Sequence, residues 1–283
     1  MNFYQLIGDP AENFYQLGIK DREDASGIYH HVRSLLTTKN HMANNIIEGI
    51  LGQLSQQVLK NNLSFKKNIS AYAEGLNLPI ANVMTILLIP EIMSCSTKWA
   101  PSLPVFSLQG CSSFFTHDED YEGPIHGRIL DSAFLNSFDK QERAILYHFN
   151  NGPKIFSYST AGLPYPSLTA MNELGITVSL HHKFSSNFHI TGTPIFEIIF
   201  QILQLCQTKK EVLSYLKNVT SISSWGLYIS FRDNDILRVD ISGDEIDYNV
   251  DKVIPKKIFY YNNLPENKNI DLSNTLPYGM KQY

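Results

Sequence analysis

The amino-acid sequence predicts an α+β protein in which antiparallel sheets pack against helical outer layers. Three observations lead to this fold class. Residues 20–93 carry apolar side chains at helical spacing, the pattern becomes strand-like from about residue 103, and two helical stretches at 193–203 and 208–216 interrupt the strands. Strands segregated from helices in this way favour antiparallel sheets with helices outside them.

The helical part is predicted from an apolar stripe and from residues that start and stop helices. Residues 70–75 are expected to form a short helix that Gly75 stops. Pro79 suits the first turn of the next helix, and Pro90 is expected to close that helix. Three- and four-residue steps place on one helix face Met42, Ile46, Ile47, Ile50, Leu51, Leu54 and Val58.

The second part alternates strand-like segments with turn residues. Segments 144–149 and 154–158 flank an Asn-Asn-Gly-Pro turn at 150–153, which predicts a hairpin. Gly175 precedes another strand-like segment at 176–181. Three more segments are separated by good turn chemistry and predict an antiparallel meander, namely 225–231, 236–241 and 245–250. The helix between 193 and 203 has Thr-Pro at its start, and the helix from Thr208 begins with a capping box.

Composition excludes several classes of protein. The 283 residues carry a net charge of −4, which leaves no electrostatic footprint for nucleic acid. Three widely spaced cysteines make no disulfide framework, and no His or Cys spacing indicates a metal site, so we expect neither metal nor cofactor. The apolar run at 78–93 is too short to span a bilayer. No signal peptide is seen, so we expect a cytoplasmic protein, while secretion stays open.

The candidate nucleophile is Cys111, which follows Gly110 in the middle of the chain. Only a thiolate attacks well, and a free thiol with a pKa near 8.5 is mostly protonated at neutral pH. If the Gly110–Cys111 bond were cleaved, the new α-amino group, with a pKa of roughly 7.7–8.0, would be a base within the same residue. Cys95 and Cys206 are expected to be buried packing residues, because a lone Cys behaves as a small hydrophobe.

A cation and a carboxylate follow the cysteine within about one hairpin. Arg128 could lower the pKa of a thiol or hold a carbonyl oxygen, and Asp131 could orient an α-ammonium group. In a flat strand, positions three apart face opposite ways. Both side chains can therefore meet Cys111 only if the strand bends or ends near Leu130.

The motifs CSS at 111–113 and IHGRILD at 125–131 resemble the signature of the N-terminal-nucleophile (Ntn) cysteine amidases and acyltransferases. This family includes acid ceramidase, N-acylethanolamine acid amidase, the choloylglycine hydrolase and penicillin V acylase group, and isopenicillin N acyltransferase. The family typically has Asn after the Arg, where this chain has Ile129. Segments 14–18 and 69–79 resemble the pro-segment of the acyltransferase branch, and 170–180 is similar to a strand of the family.

The resemblance implies further site residues. An Asn that helps to bind the oxyanion falls at Asn262, with Asn263 as the fallback. A residue near the oxyanion falls at His181 or His182, of which His182 is the candidate, and Asn172 is a second candidate for substrate binding. Relatives also carry an Arg after that Asn, whereas no Arg follows Arg238 here, so either this element is lacking or the sequence is shorter than that of a typical relative.

The resemblance also implies a four-layer αββα sandwich and a function. Residues 1–110 would form a mostly helical α-chain that stays bound after cleavage, and residues 111–283 the catalytic core. The expected reaction is hydrolysis of a small acyl amide, or transfer of its acyl group, through a thioester on Cys111. The alternative is a degenerate member that binds an acylated ligand or a protein partner without turnover, motivated by Ile129 and by the missing late Arg.

Overall fold

A computed structural model of the chain describes residues 2–37, 39–99, 110–117, 120, 123–131, 141–166, 168–183, 187–255 and 257–262. Within these ranges the chain has a mixed α+β fold. The helices are α1 (Pro10–Leu36), α2 (His41–Asn61), α3 (Leu63–Leu76), α4 (Ile80–Trp99), α5 (Ile195–Leu205) and α6 (Lys209–Leu216). The strands are β1 (Asn2–Gly8), β2 (Gly110–Thr116), β3 (Ile125–Asp131), β4 (Glu142–Phe149), β5 (Ile155–Thr160), β6 (Thr169–Asn172), β7 (Thr177–His182), β8 (Ser224–Ser230), β9 (Asp235–Ser242), β10 (Glu245–Lys252) and β11 (Phe259–Asn262).

The strands form a large and a small sheet. The large sheet has the order β1-β4-β5-β6-β7-β8-β9-β10, and the small sheet has the order β11-β2-β3. Each pair of neighbours is antiparallel except β1 and β4, which run parallel. The predicted hairpin at the 150–153 turn and the meander of β8, β9 and β10 are confirmed. The N-terminal part, expected to be mostly helical, also supplies the edge strand β1.

The two faces of the large sheet serve two different layers. On β7, Val178 and Leu180 point into the main apolar core, to which all six helices contribute. The alternate side chains Thr177, Ser179 and His181 instead hydrogen-bond with residues of the small sheet. This follows from the two-residue period of a strand. The described residues therefore form helices, large sheet and small sheet in that order, and the second helical layer of an αββα sandwich stays a prediction.

The helix boundaries in the N-terminal part differ from those expected. Gly75 lies inside α3, which instead ends where Asn77 adopts a left-handed conformation with φ of 57°. Asn tolerates this conformation better than most residues, because its short side chain bonds locally. Pro90 lies inside α4 and does not close it. In α6 the capping box of Thr208 and Glu211 is present as predicted.

The apolar stripe predicted on residues 42–58 is divided between two faces of α2. Leu51, Leu54 and Val58 are buried in the core, whereas Met42, Ile46 and Ile50 are at least half exposed. At about 100° per residue the two groups are centred roughly 110° apart, so one contact surface cannot cover both. The prediction that all these residues form one stripe is therefore wrong for Met42, Ile46 and Ile50.

A buried ion pair fastens the helices to the large sheet. Asp21 of α1 pairs with Arg143 of β4, and both side chains are 2% exposed. The hydroxyl of Tyr72 on α3 donates to Asp21 at 2.5 Å and accepts a hydrogen bond from the backbone N–H of Gly162. Burial lowers the pKa of Arg143 to about 10. A buried pair of this kind is costly to break, because removing one partner leaves the other charge uncompensated.

The crossing of α1 and α3 depends on two glycines in contact. A Cβ added at Gly75 would lie 2.2 Å from the carbonyl oxygen of Tyr15, and one added at Gly18 would lie 2.4 Å from that of Tyr72. We expect Gly75→Ala to destabilise the protein by roughly 1–3 kcal/mol, because the helices must move apart. The measurement is the free energy of unfolding in urea.

Gly27→Ala on α1 is the matched control, because nothing lies within 4 Å of a Cβ at that helical position. It should leave stability unchanged or raise it by up to about 1 kcal/mol through helix propensity. Equal effects of the two substitutions would contradict the close crossing.

Candidate active site

Cys111 lies on β2, the central strand of the small sheet, and is 5% exposed. Ser113 and Phe115 follow it at two-residue steps and are also buried, so these three side chains face the large sheet. Strand β3 pairs on one side of β2 and β11 on the other. The candidate nucleophile thus lies between the two sheets, near the end of the strand where the described residues of β2 begin.

Arg128 is the side chain that the structure brings to the sulfur. Its Nη2 donates to Cys111 Sγ at 3.3 Å. The same guanidinium donates to the backbone carbonyls of Leu168 and Leu180 and, at 3.3 Å, to the hydroxyl of Thr169. These acceptors belong to the neighbouring strands β6 and β7 or lie just before β6, so a planar fork of donors is held by two strands at once. A fixed positive charge therefore stands beside the thiol.

The strand register brings the backbones of the other expected residues close to Cys111. β3 pairs Asp131 with Gly110, and β11 pairs Asn262 with Ser112. The side chains of Asp131 and Asn262 lie outside what the structure describes. Asn263 falls outside the described residues altogether. The register therefore places the backbones of Asp131 and Asn262 at one end of the small sheet, in strand positions that alternate with those of Arg128 and Cys111, and their chemical roles stay predictions.

The family's departure at Ile129 falls on the other face of the small sheet. Ile129 pairs with Ser112 and is 57% exposed, whereas its neighbour Arg128 faces the sulfur. Successive side chains of a strand point to opposite faces. The Ile at this position therefore does not contact the thiol.

Asn172 and His182, both expected to bind substrate, are placed elsewhere. The amide of Asn172 donates to Leu203 O and accepts from two backbone N–H groups of the turn between β6 and β7. His182 faces the helices, where its Nε2 hydrogen-bonds with Pro90 O at 3.0 Å and its ring packs edge-on against Trp225. The structure therefore brings neither side chain to Cys111.

His181, the other candidate, is on the face of β7 that meets the small sheet. Its Nε2 hydrogen-bonds with Ser113 Oγ at 2.6 Å, and its ring lies 4.2 Å from that of Tyr228. Ser113 is two residues from Cys111 on the same face of β2. Of the two histidines that the sequence left open, His181 is therefore the one beside the strand that carries the nucleophile.

A polar seam between the sheets was not expected from the sequence. We use this name for Ser113, His126, Thr177, Ser179 and His181, whose side chains form one connected set of hydrogen bonds. On β7 the seam residues alternate with apolar ones, a pattern that usually predicts a solvated face. Here the small sheet covers that face instead. The signal in the sequence was the alternation of the polar Thr177, Ser179 and His181 with the apolar Val178 and Leu180.

His126 of the seam is held in the neutral form. Burial, together with the smaller effect of the positive charge of Arg128, lowers the pKa of His126 to about 3. Neutral imidazole has one donor and one acceptor nitrogen, which suits the two hydroxyls of Thr177 and Ser179 that it contacts at 2.7 and 3.0 Å. A charged imidazole next to the Arg128 guanidinium would be unfavourable. His126 therefore serves as a neutral link between the sheets.

Gly127 of the motif and the two other cysteines lie outside the polar seam. Gly127 pairs with Phe114 on the outer face of the small sheet, and a Cβ there would lie 2.1 Å from the Phe114 ring, so the glycine makes room for the ring. Cys206 is buried at the end of α5, as expected, and burial raises the pKa of its thiol to about 11. The side chain of Cys95 lies outside the described residues.

The described part of the chain contains neither a cluster of metal-binding side chains nor a helix suited to span a membrane. Among these residues, no three His, Cys, Asp or Glu side chains are grouped so that they could hold a metal ion. None of the helices there combines the length and the apolar character needed to cross a membrane.

Comparison with known proteins finds a likeness in structure and none in sequence. No protein-family model matches the sequence, and no curated protein matches it. The chain is similar to the solved structure of penicillin V acylase from Agrobacterium tumefaciens, with 14% sequence identity and a TM-score of 0.27. The match takes in 53% of this chain and 46% of that one, so this chain spans less than half the length of the acylase.

The low pKa of His126 makes stability depend on pH. As pH falls from about 6.5 towards 4, the unfolded chain takes up a proton at this imidazole and the folded chain does not, so the free energy of unfolding decreases. His126→Gln removes this proton uptake. We expect the slope of unfolding free energy against pH between pH 4 and 6 to become smaller by up to about 1.4 kcal/mol per pH unit.

His30→Gln, at an exposed position of α1, is the control for the substitution itself, and an equal change of slope in this variant would contradict a specific role of His126. As a second measurement, the ring protons of His126 in NMR spectra of the wild type should not titrate above pH 5. A titration midpoint near 6.5 would contradict the neutral link.

Proposed function

We propose that this chain is an Ntn-type cysteine hydrolase or acyltransferase, which cleaves its own Gly110–Cys111 bond and then acts on a small acyl amide through a thioester on Cys111. The observation that carries the proposal is the contact of 3.3 Å between Cys111 Sγ and the guanidinium of Arg128. The resemblance of the motifs at 111–113 and 125–131 to the Ntn cysteine amidases supports the same chemistry.

The partners of the sulfur favour an amine as the base. Among the described residues, the hydrogen-bond partner of Cys111 Sγ is Arg128, which cannot accept a proton. A thiol nucleophile without a neighbouring imidazole or carboxylate needs another base. The α-amino group of a newly formed N-terminus at Cys111 would lie within its own residue and titrates near neutral pH. Cleavage before Cys111 therefore completes the site.

Activation would proceed by an acyl shift. The Cys111 thiol attacks the carbonyl carbon of Gly110, the C–N bond breaks, and the Gly110 acyl group moves from nitrogen to sulfur. Water then hydrolyses this thioester, which leaves a carboxylate at Gly110 and frees both the amine and the thiol of Cys111. The register places Asp131 opposite Gly110, where we propose that its carboxylate orients the groups of the breaking bond.

Turnover would repeat this chemistry on a substrate. The α-amine takes the thiol proton as sulfur attacks the amide carbonyl, and the oxyanion is bound by Asn262 and backbone N–H groups. The protonated amine then gives its proton to the leaving amine, and an enzyme thioester remains. Water resolves the thioester in hydrolysis, and an acceptor amine resolves it in acyl transfer. Neither route needs a cofactor.

Burial of the nucleophile favours a second candidate function. Cys111 is 5% exposed, so a substrate reaches the sulfur only if a path opens after cleavage. A chain that never opens this path would be a degenerate member that binds an acylated ligand or a protein partner without turnover.

Cleavage is the first test of the proposal. The wild-type chain of 32.2 kDa should divide into pieces of 110 and 173 residues, about 12 and 20 kDa by length, on a denaturing gel after incubation at several pH values including acid. Cys111→Ala should remain intact because it lacks the attacking sulfur. Intact mass should place the break between residues 110 and 111.

Cys206→Ala, which removes a buried thiol on α5, is the control and should divide like the wild type. A wild-type chain that stays whole at every pH would favour the binding protein. Cleavage of Cys111→Ala at the same bond would show that the acyl-shift chemistry is wrong.

The oxyanion role is tested separately on the cleaved protein. Asn262→Ala should lower kcat by about 100-fold or more, because an amide donor aimed at an oxyanion contributes roughly 3–4 kcal/mol. Asn263→Ala should have little effect. The measurement is the steady-state rate of product release on a panel of acyl amides, with thioester formation followed by mass spectrometry. A large loss in Asn263→Ala alone would move the role to the fallback residue.

A further inference from the structure

The two edges of the large sheet differ in how they are protected from pairing. The edge strand β10 carries four charged residues among eight, namely Glu245, Asp247, Asp251 and Lys252. The edge strand β1, Asn2–Gly8, carries none. Among the described residues, no strand pairs with the outer edge of β1. Native sheets normally protect such edges with charge, proline or a bulge, so β1 is an edge open to further pairing.

Two large apolar side chains of β1 are exposed, and they lie on one face. Phe3 is 60% exposed and Ile7 is 61% exposed, and both share this face with the exposed Gln5. The register continues the same face across the sheet to Phe156 and Met171, which are 40% and 44% exposed. An apolar patch of this kind at a sheet edge is typical of an interaction surface.

The sequence of β1 is complementary to itself when two copies run antiparallel. With Gln5 opposite Gln5 of a second copy, Phe3 lies opposite Ile7 of that copy, and Ile7 opposite its Phe3. On the other face Tyr4 meets Leu6 by the same symmetry. The four pairs that flank the central one then each join an aromatic and an aliphatic residue, a pairing that stabilises sheets, while Asn2 meets Gly8 at the two ends and no two charges meet.

We infer that β1 is a homodimer interface, in which two chains pair their β1 strands antiparallel about a two-fold axis at Gln5. The large sheets of the two copies then form one continuous sheet of sixteen strands from the described parts. A two-fold contact of this kind uses the same surface on both copies and closes after two, so the assembly stops at a dimer.

The first experiment measures the mass of the assembly by light scattering on the full chain. The wild type should elute at about 64 kDa, twice the chain mass of 32.2 kDa. Phe3→Lys combined with Ile7→Lys should give a monomer that remains folded by circular dichroism, because both side chains are exposed in the single chain. Tyr248→Lys combined with Val250→Lys, at exposed positions of the opposite edge, should leave the dimer intact.

A charge-swap variant tests the register. Phe3→Lys combined with Ile7→Glu puts Lys opposite Glu at both symmetric positions and should restore the dimer. A monomeric wild type, a dimer that survives two lysines on β1, dissociation by the β10 control, or failure of the charge swap would each overturn the inference.

A cross-link measures the same contact independently. Gln5→Cys should form a disulfide between copies under oxidising conditions, since directly opposed residues have Cα atoms about 4.5–5.5 Å apart, which suits a disulfide. Phe3→Cys should not, because its symmetry mate would lie roughly 13 Å away along the strand. Cross-linking at Phe3→Cys but not at Gln5→Cys would show that the proposed register is wrong.

Discussion

The guanidinium of Arg128 is the group on which the geometry of the candidate site depends. It starts on the small sheet, reaches the carbonyls of Leu168 and Leu180 on the large sheet, and contacts the sulfur of Cys111 on the way. The small sheet also packs Phe115 against Tyr228 and Ile236 of the large sheet. The position of the thiol is therefore a property of both sheets together, and a shift of either sheet would move the charge relative to the sulfur.

The polar seam extends this dependence along the interface. A sheet-on-sheet contact is normally apolar, and each buried hydroxyl or imidazole needs a partner to offset its desolvation. Ser113, His126 and Ser179 find those partners only in one alignment of the two sheets. The hydrogen bonds of the seam therefore specify how β2 and β3 lie on β7. Apolar contacts such as those of Phe115 and Tyr228 would tolerate small slips.

Much of the fold can be predicted from local sequence patterns. The predictions that were wrong concern residues whose role depends on tertiary contacts. Turn chemistry located the hairpin before β5 and the C-terminal meander, because such turns act within a few residues. Gly75 looked like a helix stop, but its missing side chain serves a crossing with Gly18, a partner 57 positions away in sequence. The strand β1 was missed because its pairing partner β4 lies beyond all four N-terminal helices. No local pattern reports such a partner.

The candidate site shows the same contrast between features that local patterns predict and features that depend on tertiary contacts. The motif spacing grouped Cys111 with Arg128 and Asp131, and the family resemblance added Asn262. The register of β2, β3 and β11 places the backbones of these residues at one end of the small sheet. His182 was misplaced by one residue, because a shift of one position on a strand exchanges the two faces. His126 lay inside the motif and still went unnoticed as a link. Its neutral form depends on burial by a distant strand, which a sequence does not display.

The route of the chain through the large sheet has a consequence for a molecule broken at residue 110. β1 lies before the break and β4 after it, yet they are neighbours in one sheet, and the Asp21–Arg143 pair crosses the same boundary. The two pieces would remain together while folded. Once unfolded by denaturant, however, they must find each other by diffusion, so recovery becomes a second-order process that slows on dilution. An unbroken chain keeps its two halves at high effective concentration through the covalent link. The cleaved form would thus stay folded for a long time but refold poorly after denaturation. Its half-life in the folded state would be set by the rate of unfolding.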